Sequence, residues 1–81
     1  MGYSEAARHW YDQVGSKYRE DFKLGTAKLD ALTLTQLRIC LFREQRLQRW
    51  HLQEAGYKLD LTYMHALLRA IRAKLVCNQE E

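Results

Sequence analysis

The 81-residue chain contains no proline, and its four glycines stand at positions 2, 15, 25 and 56. Proline and glycine supply the fixed and the positive φ angles that tight turns need, so a chain this poor in them cannot make the many reversals of a β-sandwich or barrel. The glycines instead leave long uninterrupted stretches whose apolar residues recur at helical spacing.

Ser4 is a suitable N-cap and Glu5 places a negative charge in the first turn, where the helix dipole favours it. Ala7, Trp10, Tyr11, Val14, Tyr18 and Phe22 then follow at steps of three and four or close to it, which predicts a helix over 4–23 ended by Gly25 as a left-handed stop. Gly15, inside that helix, costs about 1 kcal/mol relative to alanine and marks a close crossing or a bend. Thr33-Leu34-Thr35-Gln36 is a capping box, and Leu32 with Leu37 supplies the hydrophobic staple around it. A second helix is predicted over 34–55, stopped by Gly56. Its apolar residues, Leu34, Leu37, Cys40, Leu41, Leu47, Trp50 and Leu52, cover more than half its circumference, as the central element of a bundle requires. Asp60 is a third N-cap type, and Leu61, Met64, Leu68, Ile71 and Leu75 alternate in steps of three and four, with Leu67 widening the seam, which predicts a helix over 61–77. A short extra turn fits 27–32, where Leu29 and Leu32 can close one end of the core, and Asn78 to Glu81 read as a polar frayed tail. The fold expected is an all-α three-helix bundle, one domain over 1–81, without internal repeats.

A domain of this size buries only about 60–65% of the surface its unfolded chain exposes, so its stability is modest and a partner or a second copy helps it. Hydrophobic residues make up 47% and charged residues 28%, the balance of a globular chain, and 13 Lys and Arg against 10 Asp and Glu give a formal charge of +3 that favours acidic partners weakly. Cys40 and Cys77 are far apart and lack the close, even spacing of a disulfide scaffold, so both are expected as reduced thiols in a cytoplasmic protein. No stretch has the length and apolarity of a signal peptide or a membrane span, and in the Met1-Gly2 start Ala6 stands where myristoylation needs Ser or Thr. No membrane role is expected.

The residues that carry chemistry are sparse. His9, His51 and His65 fall on three different helices without the spacing of a zinc pair, so no metal is expected. Cys40 sits mid-helix on an apolar stripe, Cys77 lies near a chain end, and no two glycines lie within nine residues of each other, which leaves neither a nucleophile nor a phosphate loop. Glu44, Glu54 and Asp60 have cationic neighbours and read as solvated faces. The chain is therefore expected to have no catalytic residue and no cofactor, and not to be an enzyme.

Trp10, Tyr11, Tyr18 and Trp50 stand at the helical spacing of core aromatics, with one or two of them expected at an interface. The central helix gathers Arg38, Phe42, Gln45, Arg46, Arg49 and Trp50 into a basic and aromatic face, and aromatic residues with arginine are the usual anchors of protein contacts. The function expected is a small non-enzymatic interaction protein, an adaptor or inhibitor of the size common among bacterial and phage accessory factors, bound to a larger protein through this face. A homodimer that covers leftover apolar surface is a further expectation.

From Leu32 onward the chain resembles the helical part of winged helix-turn-helix regulators of the MarR type. Leu32-Thr33-Leu34-Thr35-Gln36-Leu37-Arg38 matches the opening of one helix, and Leu52-Gln53-Glu54-Ala55-Gly56 followed by Leu61 to Val76 matches the helix, turn and recognition helix. The resemblance spans roughly half the chain and implies a DNA-binding regulator whose DNA-facing residues are Thr62, Tyr63, His65, Arg69 and Arg72. The turn from Gly56 to Met64 is about two residues longer than that pattern, the preceding helix is unbroken, and no β wing is expected after Glu81.

Overall fold

In a computed structural model that describes residues 4–77, the chain forms three helices joined by short connections, with no strand among the described residues. Helix α1 covers residues 5–24, α2 covers residues 34–55, and α3 is Thr62–Cys77. A single 3₁₀ turn, Leu29–Ala31, sits within the segment expected to coil at 27–32. The all-α three-helix architecture expected from the sequence is the one adopted. The tail at 78–81 and the Met1-Gly2 start lie outside the described residues.

The caps set the helix ends. The Ser4 hydroxyl accepts from the Ala7 amide at 3.2 Å, and α1 closes in a Schellman motif in which Thr26 N–H reaches the Asp21 carbonyl at 2.9 Å and Gly25 N–H the Phe22 carbonyl at 3.0 Å. Gly25 and Gly56 both adopt φ of +77°, so each helix stop is a left-handed residue. Both halves of the capping box at Thr33 are formed, with Gln36 N–H donating to the Thr33 hydroxyl at 3.1 Å and Thr33 N–H to the Gln36 side chain at 3.0 Å. Helix α3 begins at Thr62, one residue later than expected, because the Leu61 carbonyl accepts its first helical bond. Asp60 acts just ahead of it, accepting from the Thr62 amide at 3.0 Å and the Thr62 hydroxyl at 2.6 Å.

Two wide π-helical turns interrupt the regular winding, Tyr11–Gly15 in α1 and His51–Ala55 at the end of α2. A π turn holds about one residue more than an α turn, so it shifts the inward stripe that follows it. In α1 the buried positions are Tyr11 and Gly15, while Val14 is turned out to 38% exposure and leaves the predicted stripe. The Trp10 and Tyr11 rings fold back over Gly15: a Cβ placed there would lie 2.6 Å from Tyr11 Cδ1 and 2.8 Å from Trp10 Cζ3.

The core consists of Tyr11, Leu32, Leu37, Ile39, Cys40, Tyr63 and Leu67, with Ala7, Trp10, Tyr18, Phe22, Leu29, Leu41, Ala70 and Ile71 packed around it. Helix α2 is central, with its main packing against α3 and further contact with the π turn of α1. Helix α3 is rotated by about one residue from the seam read in the sequence. Tyr63 and Leu67 point inward, whereas Leu68 and Leu75 are exposed. The aromatic ring decides the rotation, because Tyr63 packs on Phe22 with centroids 5.0 Å apart and is buried beside Cys40. In α2, Trp50 and Leu52 are exposed rather than core, and Ile39 is buried.

On helix propensity alone Gly15→Ala would stabilise the protein by about 1 kcal/mol. The rings packed over this position make it destabilising instead, by about 1–2 kcal/mol, as a lowered urea midpoint will report.

Candidate protein-binding face

A buried ion pair organises the ground beneath this face. Glu44, read from the sequence as a solvated carboxylate, is buried to 3% exposure, and Arg19 of α1 donates from Nε to its Oε2. Arg19 is 25 residues away in sequence, so no local spacing signals the pair. Tyr11, Cys40 and Tyr63 complete the cluster. Burial pushes the Cys40 thiol up to about 11, with the Tyr63 hydroxyl opposing and the Glu44 charge adding to the rise. Burial likewise raises Tyr11 and Tyr63, so both phenols and the thiol are neutral near pH 7. The Tyr63 hydroxyl lies against that thiol without a well-formed hydrogen bond.

Above the pair, Tyr11, Arg43, Glu44, Arg46, Leu47 and Trp50 line a shallow depression of about 220 Å³. Arg43, Arg46, Leu47 and Trp50 are spaced i, i+3, i+4, i+7, the four positions that surround a hole on a helix surface. The Arg43 guanidinium stacks over the Tyr11 ring at 5.0 Å and that of Arg46 over the Phe42 ring at 5.7 Å. Trp50 remains 54% exposed and continues into a run of rings, His51 at 5.0 Å and then Tyr57 a further 5.2 Å on. His51 Nδ1 is buried there without a hydrogen-bond partner.

Of the six residues predicted for this face, Arg46 and Trp50 line the depression and Phe42 supports Arg46 from a half-buried position. Arg38, Gln45 and Arg49 are exposed on the same helix but do not line it. Tyr11, Arg43 and Leu47 were missed. Arg43 and Leu47 were legible as the i and i+4 members of the Arg46 and Trp50 set, but Tyr11 comes from α1 and needed the tertiary fold.

Of the residues implied for DNA contact, Thr62, His65, Arg69 and Arg72 are exposed, and the last three surround a second depression of about 210 Å³ with Leu68. Tyr63 is 6% exposed and belongs to the core, so it leaves that set: its ring packs on Phe22 and its hydroxyl lies near Cys40. A larger cleft of about 430 Å³ is lined by Arg19, Phe22, Lys23, Leu59, Asp60, Thr62 and Tyr63. In its lining Arg19 is engaged with Glu44 and Asp60 with Thr62, whose two bonds hold the Asp60 carboxyl below its ordinary value, while the Tyr63 hydroxyl is buried without a hydrogen-bond partner.

Among the described residues no group of three or more His, Cys, Asp or Glu side chains is placed to hold a metal ion, and no helix is long and apolar enough to cross a membrane.

Removing Arg19 leaves a buried carboxylate alone, whereas removing Glu44 frees a guanidinium whose side chain is already 27% exposed and can turn to water. Arg19→Ala will therefore cost more in urea unfolding, about 3 kcal/mol, than Glu44→Ala at about 1–2 kcal/mol. The buried thiol is the protonated form at neutral pH. In a Cys77→Ser background Cys40 will resist Ellman's reagent until guanidinium unfolds the chain. The stability from holding Cys40 neutral is complete below its ordinary value of 9.0 and is lost as pH rises toward about 11.

Comparison with known proteins identifies no relative: no protein-family model matches the chain, no curated protein does, and no solved structure does.

Proposed function

We propose that this chain is a small non-enzymatic binding protein, an adaptor or inhibitor, that engages a larger protein through the depression between α1 and α2. The observation that carries this reading is Trp50, which is 54% exposed in the lining of a depression whose other walls include two arginines stacked on aromatic rings. An indole is the most valuable apolar side chain to bury at an interface, and tryptophan and arginine are the residue types most enriched among energetic anchors. Guanidinium groups held over rings are partly ordered before a partner arrives, so less side-chain freedom is lost on binding. A partner segment that inserts an apolar group beside Leu47 and Trp50 and presents carboxylates to Arg43 and Arg46 fits this surface. Cys40, buried and neutral, suits a reducing compartment, and we infer a cytoplasmic setting from it.

Affinity capture followed by mass spectrometry identifies the partner, and calorimetric titration of that partner tests the face. Trp50→Ala will weaken binding by about 2 kcal/mol, roughly thirtyfold in Kd, while moving the unfolding free energy by no more than about 0.5 kcal/mol. A partner whose affinity is indifferent to Trp50→Ala and Arg46→Glu overturns this reading. Retention on duplex DNA at physiological salt, abolished by Arg69→Ala with Arg72→Ala, turns the assignment to the DNA-binding regulator that the resemblance implies.

A further inference from the structure

Of the residues spaced as a heptad seam, Leu61, Met64, Leu68, Ile71 and Leu75, only Ile71 is among those packed against the core. Tyr63 and Leu67 are the buried residues of α3, with Ala70 and Ile71 packed beside them. The heptad seam is left beside the core, with Leu61, Met64 and Ile71 half-buried and Leu68 and Leu75 at 40% and 49% exposure. A small globular chain gains by burying such residues, so Leu68 and Leu75, one heptad apart and both exposed, point to a second helix.

The polar residues beside the stripe indicate which helix. His65, Leu68, Arg69 and Arg72 surround the depression of about 210 Å³ at the spacing i, i+3, i+4, i+7, which is the hole that receives a knob from a facing helix. Helix α3 carries Arg69, Arg72 and Lys74 and has no acidic residue among its sixteen. The formal charges on this helix are thus all positive.

We infer that the outer face of α3 docks an acidic amphipathic helix of another protein, whose apolar knobs cover Leu68 and its neighbours while its flanking carboxylates meet Arg69 and Arg72. A second copy of the chain fits less well. Self-pairing about α3 sets the same arginines against one another, with no carboxylate on the helix to answer them. A phosphate backbone would satisfy the cations but leave Met64, Leu68 and Leu75 uncovered. This face shares no lining residue with the depression at Trp50, so the two stand or fall separately.

The probe is a fluorescein-labelled synthetic peptide of about four heptads, with Leu at a and d and Glu at e and g, titrated with the full chain by anisotropy. The expected result is saturable binding, weakened about tenfold or more by Leu68→Ala and by Arg69→Glu with Arg72→Glu, and unchanged by Trp50→Ala. The same peptide with Lys for Glu should not bind. Thermal melts by circular dichroism confirm that each surface variant is folded, and the charge-reversal variant serves if Leu68→Ala loosens the helix. The inference is overturned by absent binding, by equal binding of the Lys peptide, or by affinity that ignores both sets of α3 variants. It is also overturned if the variants abolish binding to duplex DNA or phosphatidylserine vesicles but not to the Glu peptide. A dimer seen by sedimentation and dissolved by Leu68→Ala would assign the face to self-association instead.

Discussion

A carboxylate taken almost wholly out of water cannot stand alone, since the penalty for an unanswered buried charge is several kcal/mol and rivals the net stability of a small domain. Glu44 is in that position, and the Arg19 guanidinium is what makes its burial tolerable. The pair links α1 to α2 across 25 residues and sets how α1 lies on the central helix. Much else follows from that placement. Tyr11 comes under the Arg43 guanidinium, Phe22 reaches Tyr63, and the thiol and phenols around the carboxylate are held in their neutral forms.

The same placement requires α1 to present Tyr11 and Arg19 on one side of a helix that also carries Gly15 between them. The π turn at Tyr11–Gly15 achieves this by adding a residue to the winding, and the absent Cβ at Gly15 leaves room for the Trp10 and Tyr11 rings beside the backbone. The cost is an outward Val14. An irregularity in the helix thus serves the tertiary contact, and the glycine that weakens the helix locally is the residue that allows it.

Three helices of this length cannot hide all the apolar surface they bring. The chain commits Leu37, Cys40 and Leu67 fully to its centre but leaves Trp50, Leu52 and Tyr57 exposed near one end of α2, and Leu68 and Leu75 on the flank of α3. At both places cationic side chains border the apolar group: Arg43 and Arg46 by Trp50, and Arg69 and Arg72 by Leu68. Each depression thus sets an exposed apolar side chain beside guanidinium groups, one between α1 and α2 and one on α3.

The elements themselves were legible because their signals are local. Thr33 with Gln36, Gly25, Gly56 and Ser4 act on neighbours within a turn, and they determined where helices begin and end whatever the rest of the chain did. Rotation about each helix axis was not legible. Neighbouring stripes on α3 are both apolar, and the packing of Tyr63 on Phe22 chooses one of them. Nor could local spacing disclose that Glu44 is buried, that Tyr11 joins the wall beside Trp50, or that the expected heptad seam of α3 is left partly at the surface. By itself the sequence determined three capped helices, since caps and periodicity are short-range. Which faces those helices bury, and therefore which they offer to other molecules, was decided by the tertiary structure, because burial depends on partners that are distant along the chain.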